Sequence, residues 1–120
     1  MVYVRDVGQA ARFWERLGFA RFFQLPAEGE PGYVSLRRGG SELAVAAADW
    51  LRQQYGLDLG NGPRFEMYVY VDDVDQLVAE LRAEAVRVLK DPADMPWGER
   101  IATMADPDGN PVTLSNEPDE

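Results

Sequence analysis

Three features of this 120-residue chain predict an α+β fold made of two tandem strand–helix–three-strand units. The first is a repeat. Tyr3-Val4-Arg5-Asp6-Val7-Gly8-Gln9 is echoed by Tyr70-Val71-Asp72-Asp73-Val74-Asp75-Gln76 at a constant offset of 67, with Tyr, Val, Asp, Val and Gln coinciding. A repeat of this size means one supersecondary unit used twice, and duplication usually builds a cleft between the copies. The second feature is that each copy runs from a short apolar strand into an amphipathic helix. The third is a matching hairpin: Gly40-Ser41-Glu42-Leu43-Ala44-Val45 aligns with Gly109-Asn110-Pro111-Val112-Thr113-Leu114 at an offset of 69.

Each element follows from local chemistry. Residues 2–5 form a short strand, and Asp6 is placed to cap a helix. Val7, Ala10, Ala11, Phe13, Trp14 and Leu17 recur at three- and four-residue steps, which gives one buried helical stripe. Phe13 and Trp14 belong to the core, and Gly18 ends the helix. Strands are expected over 19–25, 33–37 and 42–46, the last two around Arg38-Gly39-Gly40-Ser41. Residues 26–32, rich in Pro, Gly and Glu, have turn chemistry. The stretch 49–63 reads as a connector with a short helical turn near Asp49. In the second unit a strand over 65–71 leads into a helix over 74–85, whose apolar face is Val74, Leu77, Val78, Leu81 and Ala85. A strand over 86–89, a loop over 90–98 and strands over 99–105 and 112–115 complete it. Asp106-Pro107-Asp108-Gly109 fits a type I turn. The expected organisation is therefore one domain over 1–116, with the first repeat over about 1–48, the second over about 64–116, and an acidic tail at 117–120.

Side chains alternate along strands, so the pattern also assigns faces. Leu43 and Val45 match Val112 and Leu114 and pack on the helices, which turns Ala44 and Thr113 the other way. Likewise Met67, Val69 and Val71 face the core, while Glu66, Tyr68 and Tyr70 face away, and Tyr3 shares their set. A sheet face carrying Tyr3, Ala44, Glu66, Tyr68, Tyr70 and Thr113 points to a lined cleft or a subunit interface.

Composition narrows the function. The chain has no His and no Cys, which removes disulfides and the softer metal donors. No run approaches the roughly 20 apolar residues of a membrane span, and no signal-peptide pattern opens the chain. A cytoplasmic protein with no membrane partner is expected. The net charge is −9, and it is uneven: residues 1–48 carry six basic and five acidic groups, residues 49–120 six and sixteen. That balance disfavours nucleic acid. It suits a cationic partner, although Asp72, Asp73 and Asp75 also favour the positive end of the helix they open.

Phe13-Trp14 in a helix ending Leu17-Gly18-Phe19, the duplicated unit, and Asp106-Pro107-Asp108-Gly109-Asn110 before the last strand together resemble the vicinal oxygen chelate superfamily. That superfamily holds glyoxalases, bleomycin-resistance proteins and extradiol dioxygenases. The resemblance covers residues 1 to about 116. It implies a cup-shaped, eight-stranded curved sheet with helices on its outer face, and a homodimer with cups at or near the interface. Metal-dependent members carry His, Glu or Gln at four cup-facing positions. Three of these fall on Ala44, Glu66 and Thr113, and counting back the repeat offset from Glu66 puts the remaining one ahead of Met1. One carboxylate, one hydroxyl and a methyl cannot hold a catalytic ion, so no metal and no cofactor is expected.

The resemblance then favours the metal-free bleomycin-resistance-like branch. It implies a dimer that sequesters an aromatic or cationic compound, antibiotics included. Pro96-Trp97-Gly98-Glu99-Arg100 also looks like that branch, where the loop borders the groove. The ligand-binding set so implied is Tyr3, Ala44, Glu66, Tyr68, Tyr70, Trp97, Arg100 and Thr113, with no catalytic residue. Each has a plainer alternative. Trp97 either stacks on a ligand or tucks against the rim, and Tyr68 and Tyr70 line a cleft or pack a dimer. Glu66 pairs with a ligand cation or with Arg64 or Arg100. Trp50 and Tyr55 fit partner packing better than ligand contact. The rival function is a glyoxalase-like lyase or isomerase in which buried Glu66 is the general base, with Thr113, tyrosine hydroxyls or Arg100 as electrophile.

Overall fold

A computed structural model describes residues 1–116; the acidic tail expected at 117–120 lies outside the described residues. The fold is α+β, with eight strands in two four-stranded mixed sheets and three helices. The chain divides into two compact units, the first ending at Asn61 and the second beginning at Gly62.

The first unit contains β1 (Val2–Val4), α1 (Val7–Arg16), β2 (Ala20–Leu25), β3 (Tyr33–Arg38), β4 (Ser41–Ala47) and α2 (Ala48–Tyr55). Its sheet order is β1-β4-β3-β2, parallel between β1 and β4 and antiparallel elsewhere. The Asp6 carboxylate accepts from the Gln9 backbone N–H at 3.0 Å and caps α1. Ala10, Ala11, Phe13 and Trp14 on the buried stripe of α1 then cover one face of the sheet, where Val4, Val34, Leu36 and Val45 meet them. Burying the valine, leucine and phenylalanine side chains among them contributes about 1.5–3 kcal/mol each.

The second unit repeats the plan with β5 (Met67–Val71), α3 (Val74–Ala83), β6 (Val88–Asp94), β7 (Arg100–Ala105) and β8 (Pro111–Asn116), in sheet order β5-β8-β7-β6. Asp73 caps α3 through the Gln76 N–H at the same 3.0 Å. Val74, Val78 and Leu81 pack on the face that carries Ala102, Met104, Val112 and Leu114. The turn between β7 and β8 forms as expected, with the Gly109 N–H donating to the Asp106 carbonyl at 2.9 Å. The buried Asp106 carboxylate accepts from the Asp108 and Asn110 backbone N–H groups and from the Asn110 amide.

Four elements differ from expectation by two residues or more, one being β5, which begins at Met67 rather than at residue 65 and leaves Glu66 just ahead of the strand. The helical turn near Asp49 is a two-turn helix, because residues 48–55 contain no breaker before Gly56. α3 stops at Ala83 rather than Ala85, since Ala85 itself adopts a positive φ of 65°. The strand expected over 86–89 runs from Val88 to Asp94 and takes in part of the expected loop. Pro92 has the chemistry of a strand breaker but does not interrupt the strand. It lies on an edge strand, beside register shifts between Val88, Lys90 and Ala93, where a missing N–H costs no ladder bond.

Candidate functional site

In the second unit the strand register settles which side chains share the face away from α3. Tyr68 lies beside Thr113 and Tyr70 beside Ser115 on the parallel β5–β8 pair. Across β7, Thr103 faces Thr113 and Ile101 faces Ser115. Tyr68 and Tyr70 are 51% and 41% exposed, whereas Thr103, Thr113 and Ser115 beneath them are buried. The buried hydroxyls are satisfied. Thr103 Oγ1 and Thr113 Oγ1 are 2.9 Å apart, and Thr113 Oγ1 reaches Glu66 Oε2 at 3.4 Å. Ser115 Oγ donates to Glu99 Oε2, and Glu99 Oε1 accepts from the Trp97 indole N–H at 2.9 Å. Two carboxylates and three exposed rings thus border a floor of hydroxyls. Glu66, Tyr68, Tyr70 and Thr113 come together within one unit, as the alternation required, and Glu99 links the loop residue Trp97 to the same face through Ser115.

Glu99 and Ser115 were missed in the sequence. Ser115 was legible by alternation from Thr113. Glu99 was not, because nothing in Pro96-Trp97-Gly98-Glu99 says which way a loop carboxylate turns.

Arg100 is placed differently. It shares its side of β7 with Ala102 and Met104, and its guanidinium donates to Asp75 on α3 at 2.6 and 2.9 Å and to Asp94 on β6 at 3.1 Å. Those hydrogen bonds raise the Arg100 pKa, and the same contact holds the Asp75 carboxyl below its ordinary value. Arg64 is directed to Asp108 at 3.9 Å. Neither arginine therefore takes the pairing with Glu66 considered for it.

Tyr3 and Ala44 belong to the first unit. Tyr3 lies beside Ala46, and Ala44 opposite Ser35, on the face away from α1. This face also carries an aromatic group that was not anticipated as a unit. A bulge between Arg21 and Phe23 brings two consecutive phenylalanines to one side: Phe22 under the Arg37 guanidinium at 3.8 Å, and Phe23 edge-on to Tyr33 at 6.2 Å. Tyr33 stacks on Trp50 at 5.8 Å and 7°. Trp50 thus packs within its own unit. The bulge breaks simple alternation, which hid the group in the sequence. A hollow of about 160 Å³ at the start of α2, lined by Arg5, Ala48, Asp49, Arg52, Asp58 and Leu59, is smaller than ordinary ligand pockets and internally charge-balanced.

The metal positions of the resembled family do not fit an ion. Glu66 is a lone carboxylate, Thr113 Oγ1 is engaged by Thr103, Ala44 has no donor, and His and Cys are absent from the sequence. Among the described residues no group of three or more acidic, His or Cys side chains is disposed to hold a metal. Glu66 is also exposed. The burial on which its general-base role depended is missing.

Two strand–helix–three-strand modules, each with a helix-covered face and a face bearing polar and aromatic groups, define a class of small duplicated α+β proteins. The chain belongs to the glyoxalase/bleomycin resistance protein/dioxygenase superfamily, whose family model matches residues 1–114. Among solved structures it is similar to a family enzyme from Burkholderia phytofirmans PsJN, with a TM-score of 0.79 at 23% identity over 96% of this chain and 93% of that one. A superfamily member from Sphaerobacter thermophilus DSM 20745 has a TM-score of 0.69 at 27% identity, covering 97% and 92%. A bleomycin-binding protein solved in complex with bleomycin has a TM-score of 0.64 at 26% identity, covering 98% and 94%. No functionally curated protein matches the chain significantly in sequence. No helix of the described residues is long and apolar enough to cross a membrane.

Proposed function

We propose that the protein captures a small aromatic or cationic compound without transforming it, in the manner of a bleomycin-binding protein, and does so as a homodimer. The observation that carries this is the face of the second unit. Tyr68, Tyr70 and Trp97 stand exposed beside the Glu66 and Glu99 carboxylates, over hydroxyls that are already paired. Exposed rings next to carboxylates suit a planar cation, which gains from both the π faces and the charge. Catalysis of the superfamily's metal-dependent kind has no matching donor set here. The apolar exposure of Phe22, Phe23 and Leu25, each between 44% and 46%, supports a further covering surface such as a second copy provides.

Calorimetric and tryptophan-fluorescence titrations against bleomycin and a panel of planar cations test the reading. Saturable binding in the micromolar range is expected, weakened by Tyr68→Ala and by Glu66→Gln. No saturable binding across the panel refutes capture, and a monomer by sedimentation at binding concentrations refutes the dimer. Turnover of a hemithioacetal that disappears on chelation replaces capture with catalysis.

A further inference from the structure

Trp97 is 65% exposed, yet its indole is tied down. The loop that carries it closes on itself, with the Met95 N–H donating to the Glu99 carbonyl at 2.7 Å and the Gly98 N–H to the Met95 carbonyl at 3.0 Å. Gly98 makes this possible with a φ of +101°, which side-chain-bearing residues rarely adopt. Glu99 then joins the loop to the sheet. One carboxylate oxygen takes the Trp97 indole N–H, and the other takes the hydroxyl of Ser115, which is fully buried on β8. A surface tryptophan ordinarily samples several rotamers, and a ligand that stacks on it must bear the cost of fixing one. Here that cost is met before any ligand arrives. The two bonds also use both oxygens of one carboxylate, so the position of the ring and the attachment of the loop to β8 depend on the same group.

The geometry points to Glu99 as a positioning residue: a latch that holds the Trp97 indole at the rim of the β8 hydroxyl face and thereby sets the affinity of that face for a planar cation. The affinity half of this inference rests on the capture reading above, and the latch half does not. In this role Glu99 acts through the indole it holds, and a direct pull of its charge on the cation would show as additive loss in the double variant. Its alternatives are a loop carboxylate that merely stabilises the turn and a solvated group caught in one rotamer, and both are distinguishable in solution.

The protein has three tryptophans, so a ¹⁵N-labelled sample gives three indole N–H resonances, and Trp97→Phe assigns one of them. In Glu99→Ala the Trp97 resonance should shift and exchange faster with solvent, while the resonance of buried Trp14 stays in place. Glu99→Gln retains one carbonyl acceptor and should restore part of the protection. Ser115→Ala keeps the indole bond but frees the carboxylate from β8, so its effect should be in the same direction and smaller. Proflavine, a planar tricyclic cation, serves as the probe of affinity. Glu99→Ala should weaken it about tenfold, close to the effect of Trp97→Ala, and the double variant should weaken it no further. A Trp97 resonance unmoved by Glu99→Ala overturns the latch. A released indole with unchanged proflavine affinity overturns the positioning role, as does additive loss in the double variant. If the wild-type protein fails to bind proflavine while Glu99→Ala still releases the indole, the affinity half falls and the latch stands.

Discussion

The two units share one plan, and they differ mainly on the face their helices do not cover. On the helix side the duplication is preserved to the level of single hydrogen bonds. Asp6 and Asp73 cap α1 and α3 identically, and the chain leaves each helix through the same contact, from Phe19 N–H to the Trp14 carbonyl and from Val86 N–H to the Leu81 carbonyl. On the other side the first unit presents Phe22, Phe23, Tyr33 and Trp50, and the second presents Tyr68, Tyr70 and Trp97 beside Glu66 and Glu99 over a floor of hydroxyls. The edge strands differ too: β2 carries exposed phenylalanines, while β6 carries Lys90, Asp91, Pro92 and two register shifts. Charge and proline on an edge discourage pairing with other chains. Packing has held the helix faces alike, and the open faces were free to acquire different chemistry.

Substitutions at equivalent positions test how far the likeness extends. Trp14 and Leu81 occupy the same place at the repeat offset and are both about 1% exposed. Trp14→Ala should cost about 3–5 kcal/mol and Leu81→Ala about 2–5, measured by urea unfolding. If either cost under 1 kcal/mol, that helix would not be organising its unit's core. A smaller effect is expected at the caps. Asp6→Ala and Asp73→Ala should each cost about 1 kcal/mol, and by nearly equal amounts because their geometry is the same. A clear inequality would show that the capped turns differ in how strongly they depend on tertiary contacts.

Much of this plan was legible in the sequence, because the helix faces obey strict periodicity. The repeat offset, the caps, the Asp106 turn and the outward set of Glu66, Tyr68, Tyr70 and Thr113 all follow from spacing alone. What escaped were the places where a local rule is overridden. Pro92 reads as a breaker but is harmless on an edge. The bulge at Phe22 defeats alternation, and a loop side chain such as Glu99 has no periodicity to betray its direction. Arg100 was misleading for another reason. The resemblance of its loop implies a place at the groove, but the parity of β7 turns it toward α3.

The exit from the helices gives the next contrast. Gly18 and Ala85 are equivalent, and both adopt positive φ, 92° and 65°. Glycine accepts that conformation freely, whereas alanine in it costs roughly 1–2 kcal/mol. Ala85→Gly should therefore stabilise the protein by about 0.5–1 kcal/mol, less than the strain itself because glycine also loosens the unfolded chain. In the first unit the reverse change, Gly18→Ala, should destabilise, since an added Cβ would also meet Arg38 Nε at 3.2 Å. A rise in unfolding midpoint for the first and a fall for the second would confirm that one copy of the repeat retains strain that the other lacks.

The smallest difference is electrostatic. The second unit has Asp75 in the first turn of its helix, held by Arg100, whereas the first turn of α1 has no acidic residue and Gly8 stands at the equivalent position. The Arg100 hydrogen bond lowers the Asp75 pKa from its ordinary 3.8. A carboxyl whose folded value is depressed contributes stability above the unfolded value and loses it as the pH falls through the folded one. The pair should thus act at neutral pH and fade only below about 3.8. Both partners are substantially solvated, at 38% and 54% side-chain exposure, so the contribution is small and screened by salt. Carboxyl-detected NMR titration should place the Asp75 midpoint below that ordinary value and return it toward 3.8 in Arg100→Ala. A midpoint unmoved by that substitution would mean that the clamp is absent in solution, leaving α3 joined to β7 by apolar contacts alone.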